Sequence, residues 1–196
     1  MDLGEVFLDI CGIGGIDCAK MRAVDLMELE IGRHRWPEIA CGCRRSAAHL
    51  PDDLRRMVRA TEEPQYGFFV DDHIWEPEVI FEPAVPAASV MVAALAGTEM
   101  TEVARYYILH NLLCLVGDLG QAPSERDLVQ ECQDLVRTAE WLFYSLIAAR
   151  PGWRCASTAF EILDVAGADR ERLRALITAD PELFGRDLCE EWSVTA

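Results

Sequence analysis

Between Ala84 and Val116 the chain carries two successive stretches that are apolar on almost every side, and no other feature constrains the fold as tightly. In the first, Val85, Ala88, Val92, Leu95 and Ala96 mark one helical face up to Gly97, and Val90, Met91, Ala93 and Ala94 make the remainder apolar too. In the second, from Thr101, the residues Val103, Tyr107, His110 and Cys114 form one stripe and Tyr106, Leu109, Leu113 and Val116 another, with Gly117 as the stop. A helix with several apolar stripes must touch neighbours on several sides. The spacing therefore predicts a central helix pair inside an all-α fold, and the absence of period-2 alternation predicts little or no sheet.

Helical spacing continues on both sides of this pair. Asp17 to Ile31 has apolar residues at Met21, Val24, Leu26, Met27, Leu29 and Ile31, ended by Gly32. Pro51 opens a short helix to Ala60. Ser124 and Asp127 form a capping box. After it Leu128, Cys132, Leu135, Ala139, Leu142, Leu146 and Ala149 recur at intervals of four and three, which predicts the longest helix, about 25 residues or roughly 37 Å. Further helices fit Arg154 to Ala166 and Asp169 to Ala179, and Asp180-Pro181 starts a last short one. Joined by short turns, these segments predict either a short solenoid or an irregular bundle of antiparallel helix pairs. The chain reads as one domain over 1–196, with a less regular part at 1–60, an acidic loop at 61–83 and a helical core at 84–196.

Composition narrows the function classes. With 51% apolar residues the 196-residue chain can bury a continuous core. Its 18 basic residues face 34 acidic ones, for a formal charge of -16, and Lys20 is the sole lysine. Such a surface repels phosphate backbones, so a nucleic-acid partner is not expected. No run reaches the roughly 18 to 20 apolar residues of a membrane span, and Asp2, Glu5, Asp9 and Asp17 occupy the start where a signal peptide is positive. A cytoplasmic protein is the expectation, its eight cysteines being reduced thiols.

From Ala60 to Ala104 there is no Lys or Arg, while Glu62, Glu63, Asp71, Asp72, Glu76, Glu78, Glu82, Glu99 and Glu102 supply carboxylates. Pro64, Gly67, Pro77 and Pro83 interrupt the first part, and Phe68, Phe69, Trp75, Ile80 and Phe81 give it apolar anchors. It reads as an ordered acidic loop with room for a short helix. The run from Asp72 to Leu95, with Phe81-Glu82-Pro83-Ala84-Val85-Pro86 leading into a helix and Tyr107 to Val116 returning beside it, resembles the repeat opening of bacterial HEAT-like α-solenoid proteins. The likeness covers roughly residues 50 to 166. Where family members usually carry Gln-Gly before the motif, this chain has Glu76-Pro77-Glu78. The resemblance implies a binding scaffold without catalytic residues, and some proteins of this type look like immunity partners of bacterial toxins.

Several constellations invite a site. Cys11, Cys18, Cys41 and Cys43 offer four thiolates, but six residues separate the first pair and one the second, unlike the usual C-x2-C to C-x4-C pairs of zinc ribbons. Ordinary thiols, with no metal and no cofactor, are the expectation. His73 sits among Asp71, Asp72, Glu76 and Glu78, yet no second His or Cys stands at i, i+4 from it, so a contact surface is expected rather than a metal or acid/base site. Gly12-Ile13-Gly14-Gly15 lacks the context of a phosphate loop. His110 reads as a satisfied buried histidine, the alternative being a ligand pocket lined by Arg105, Tyr106, Tyr107 and His110.

Two functions remain open. One is a non-catalytic module that binds another, basic protein through Phe68, Phe69, Asp71, Asp72, His73, Trp75, Glu76 and Glu78, as an immunity-type inhibitor of a basic toxin or enzyme does. The other is a small-molecule-binding or enzymatic helical protein of a bacterial biosynthetic pathway, using the pocket near His110. Trp75 is either an anchor for the partner or a plug under its own loop.

Overall fold

The computed structural model describes residues 25–62, 70–117 and 123–194. Among these residues the chain forms nine α-helices: α1 (Leu26–Arg33), α2 (Leu50–Val58), α3 (Ala84–Gly97), α4 (Glu102–Val116), α5 (Pro123–Thr138), α6 (Glu140–Ala148), α7 (Trp153–Val165), α8 (Arg170–Ala179) and α9 (Arg186–Val194). Short 3-10 turns at Trp36–Glu38, Ala47–His49 and Pro181–Leu183 link them, and one antiparallel pair, β1 (Trp75–Glu76) and β2 (Val79–Ile80), is the only sheet among the described residues. The architecture is therefore mainly helical, as the periodicity predicts. No described helix is long and apolar enough to cross a membrane.

Side-chain caps set several helix starts. The Asp25 carboxylate accepts from the N–H groups of Met27 and Glu28 at 3.1 and 3.2 Å, so α1 begins at Leu26, and the part of the expected helix from Asp17 to Val24 lies outside the described residues. Thr101 caps α4 through the Ala104 N–H at 3.1 Å, and Asp169 caps α8 through Glu171 and Arg172.

The helix α4 sits at the centre. Ala104, Ile108, Leu109, Leu112, Leu115 and Val116 are fully buried, because α4 packs against α2, α3, α5 and, most extensively, α7. On α7 the small side chains Ala156 and Ala159 let the two helices approach, while Phe160 fills the space beyond and meets Phe184 and Trp192 edge-on at 5.3 and 5.0 Å. Each such large apolar side chain stabilises by about 1.5–3 kcal/mol on full burial. The helix α3 touches α1, α4 and α5, and one contiguous apolar cluster runs from Met27 to Trp192.

The long helix expected from Ser124 to Arg150 is two. α5 stops at Thr138, Ala139 takes a non-helical ψ of 14°, and α6 restarts at Glu140. The Thr138 hydroxyl donates to the carbonyl of Asp134 at 2.9 Å, and the Ala139 N–H is shared between the carbonyls of Leu135 and Val136. Such back-bonding loosens the helical ladder and bends it. The apolar stripe continues across the break, which is why spacing alone joins the halves.

Candidate functional site

Among its described residues the acidic segment contains a hairpin and no α-helix. Val70 starts a tight turn in which His73 and Ile74 donate to its carbonyl at 3.2 and 3.1 Å. Trp75 then pairs with Ile80 and Glu76 with Val79 across a Pro77-Glu78 turn. Glu78 has φ 70° and Asp72 φ 59°, left-handed conformations that Asp tolerates by local hydrogen bonding and that cost a Glu on the order of 1 kcal/mol. Val70, Ile74 and Ile80 are buried, whereas Asp72, Glu76, Pro77 and Glu78 are exposed.

Two polar contacts fix this hairpin to the body. Trp75 is half-buried, and its indole N–H donates to Asn111 Oδ1 at 2.9 Å. Asn111, wholly buried on α4, donates its own amide to the Tyr107 carbonyl at 3.0 Å, so its buried polar atoms are satisfied. Trp75 thus plugs its own loop onto α4. At the far end, Glu82 Oε2 accepts from the Ala40 N–H at 3.0 Å.

The carboxylates differ in their company. Glu28 and Asp52 are bridged by Arg55 at 2.7 and 2.8 Å, Asp53 by Arg56, Asp180 by Arg150 at 2.7 Å and Glu140 by Arg172 at 2.8 Å. Asp72, Glu76 and Glu78 enter none of the ion pairs among the described residues. Asp71 is half-buried and near enough to His110 to act on it electrostatically, and Phe68 and Phe69 lie outside the described residues.

Beside the hairpin, four further side chains converge. Residues 39–47 form a knuckle: Ala47 donates to Ile39 at 2.9 Å, Cys41 to Arg45 at 2.9 Å and Arg44, with φ 64°, to Cys41 at 2.9 Å. The knuckle projects Cys41 and Cys43, the following 3-10 turn supplies His49, and the turn before β1 supplies His73. Their ligand-type atoms all lie within 4.8 Å of one another. Gly42 is required here, since a Cβ would stand 2.5 Å from the Phe81 ring and 2.6 Å from the Asp72 carbonyl. Its N–H instead donates to the His73 carbonyl at 3.1 Å.

Burial pushes the Cys41 thiol up to about 11. Cys43 goes the other way: burial raises it, but the Cys41 thiol, the Arg45 hydrogen bonds and the Arg45 charge together bring it below the ordinary thiol value. Burial, reinforced by His49, holds His73 below the usual histidine range against the pull of Asp53 and Asp72. The structure thus brings His73, Cys41 and Cys43 together, with Cys11 and Cys18 outside the described residues. His49 is the member that sequence reasoning missed, although Cys41-x-Cys43-x5-His49 places three donors within nine positions.

Around His110 the structure assembles aromatic rings. Tyr106 lies 6.0 Å from His110 and 5.9 Å from Tyr107, Trp75 meets His110 edge-on at 6.3 Å, and the Arg154 guanidinium stacks 4.0 Å over the Tyr106 ring. Arg105 instead lines a separate cavity of about 330 Å³ with Leu95, Leu142 and Leu146. His110 Nε2 is 3.8 Å from Cys114 Sγ. Burial lowers the imidazole and raises the thiol to about 11, so both are held neutral, the reverse of the thiolate–imidazolium pair that nucleophilic catalysis uses.

Compared with known proteins, the chain matches no family profile, no curated sequence and no solved structure.

Proposed function

We propose that the protein is a non-catalytic scaffold that binds a basic protein through the acidic hairpin of residues 71–82. The observation that carries this reading is the grouping of three exposed carboxylates, Asp72, Glu76 and Glu78, on one fixed hairpin, joined to no guanidinium among the described residues, whereas Glu28, Asp53 and Glu140 are each paired with an arginine. Unneutralised charge on a rigid support steers a positive surface into contact without first breaking internal ion pairs. The order of packing, α1 on α3 on α5 and α2 on α4 on α7, supports a two-layered, HEAT-like stack as the scaffold. The described cysteines are free thiols, which suits a reducing cytoplasm. An immunity-type inhibitor of a basic toxin or enzyme fits this description. The neutral His110 and Cys114 pair weighs against the enzymatic alternative.

A photo-crosslinking residue placed at Pro77, with a control at exposed Ala175 on α8, tests the reading in the source cells. The expected result is an adduct to a basic protein from position 77, lost when Asp72→Asn, Glu76→Gln and Glu78→Gln are combined. Adducts from position 175 alone, or a position-77 adduct that survives neutralisation, overturn it.

A further inference from the structure

We infer that Cys41, Cys43, His49 and His73 bind one Zn2+ in a closed tetrahedral site that fastens the acidic hairpin to the 39–49 knuckle. This goes beyond the partner-binding reading and stands or falls separately from it.

The donor spacing fits a zinc tetrahedron. With zinc–sulfur bonds near 2.3 Å and zinc–nitrogen bonds near 2.05 Å, the edges of a tetrahedron are about 3.8 Å between sulfurs, about 3.5 Å between sulfur and nitrogen and about 3.3 Å between nitrogens. The protein places His49 Nε2 3.3 Å from His73 Nδ1, Cys41 Sγ 3.3 Å from His73 Nδ1 and 3.8 Å from His49 Nε2, and the two sulfurs 3.3 Å apart. These four edges lie within about half an ångström of the ideal, and the two from Cys43 Sγ to the imidazoles are no longer than 4.8 Å. Four side chains from three separate pieces of backbone do not reach such spacing by packing alone.

The surroundings are those of a ligand set. His49 Nδ1 is 3.1 Å from the Ser46 carbonyl, so its N–H points there and the Nε2 lone pair faces the cluster. Metal-bound histidines are oriented in this way. Asp53 Oδ2 lies 3.8 Å from His49 Nε2 but is held by Arg56, so it acts from outside the ligand shell.

Donor chemistry selects the ion and the role. Two sulfurs and two imidazoles suit Zn2+, whereas Ca2+ and Mg2+ require oxygen. On uptake the two thiols release their protons to solvent, leaving an electrically neutral centre. Four protein ligands leave no position for water, which makes the site structural. Its mechanical effect follows from the chain path: the ion ties the knuckle to a residue 24 positions beyond His49, at the foot of the hairpin.

The test is metal analysis of the full-length chain purified without chelator, then of the chelator-stripped protein titrated with zinc chloride and cobalt chloride. One zinc per chain is expected, and cobalt should show the intense visible bands of tetrahedral coordination with a thiolate charge-transfer band in the near ultraviolet. Cys43→Ser and His73→Gln should each lose stoichiometric zinc in competition with a colorimetric chelator, whereas a Cys11→Ser, Cys18→Ser double variant and Cys114→Ser should keep it. If a variant does not fold, the wild-type cobalt spectrum decides. An octahedral spectrum without thiolate charge transfer, no uptake by the stripped protein, or loss of zinc on changing Cys11 and Cys18 overturns the site.

Discussion

The α4–α7 interface and the knuckle–hairpin pair are ordered by different physics. Between α4 and α7, side chains such as Leu112, Leu115, Ala156, Ala159 and Phe160 are wholly withdrawn from water, so stability is spread over many small contacts. Between residues 39–49 and 70–82, the buried Val70, Ile74 and Ile80 join the core, and the remaining order comes from a few directional contacts: Gly42 on His73, Ala40 on Glu82, Trp75 on Asn111 and the Cys/His cluster. Spread contacts tolerate the loss of one member in proportion to its size. A few-point attachment fails locally when one point is removed, without disturbing the rest.

Phe160→Ala should have the largest effect, because it empties a wholly buried space beside the interface, against Phe184 and Trp192. A loss of about 3–5 kcal/mol is expected in urea denaturation, with faster hydrogen exchange throughout α4 and α7. Trp75→Phe should cost less, about 1–3 kcal/mol, since it leaves the buried Asn111 oxygen without its indole donor. Its exchange signature should be confined to residues 70–82. Faster exchange spread evenly into α7 would erase the distinction between the two regions.

The smallest effect concerns the seam between them. His110 touches Trp75, Tyr106 and Cys114, with Asp71 opposing and Arg154 reinforcing the burial that lowers it. A folded-state value below the unfolded one of about 6.5 means that its contribution is present above that pH and is lost as the pH falls through the folded value. His110→Gln should therefore lose less stability than the wild type between neutral and mildly acidic pH. His34 and His73, also lowered, titrate in both proteins and cancel from the difference. Identical pH profiles would show that His110 carries no acid sensitivity.

The same contrast explains what the sequence makes legible. Helices α3, α4, α7 and α8 are readable because burial writes itself into the spacing of Val, Leu and Ala. The hairpin is not, since strands of two residues are too short to show alternation. The break at Ala139 is hidden because it leaves the apolar stripe intact. The Cys/His cluster is half visible: Cys41, Cys43 and His49 are close in sequence, but His73 arrives only through the fold, and Cys11 and Cys18 compete for the same reading. The plug role of Trp75 depends on Asn111, 36 residues away, and no local pattern announces such a pairing.

The chain position of the four donors has a consequence for biosynthesis. All of them, and the whole hairpin, precede α3 in the chain, whereas the α4–α7 interface is complete only at Val165. At a synthesis rate of roughly 5–20 residues per second, His73 leaves the ribosome on the order of 5–20 s before the last residue of α7. During that interval the donors exist without the large core, and a nascent chain that closes them around an ion presents α4 with a hairpin already formed, onto which Asn111 has only to dock.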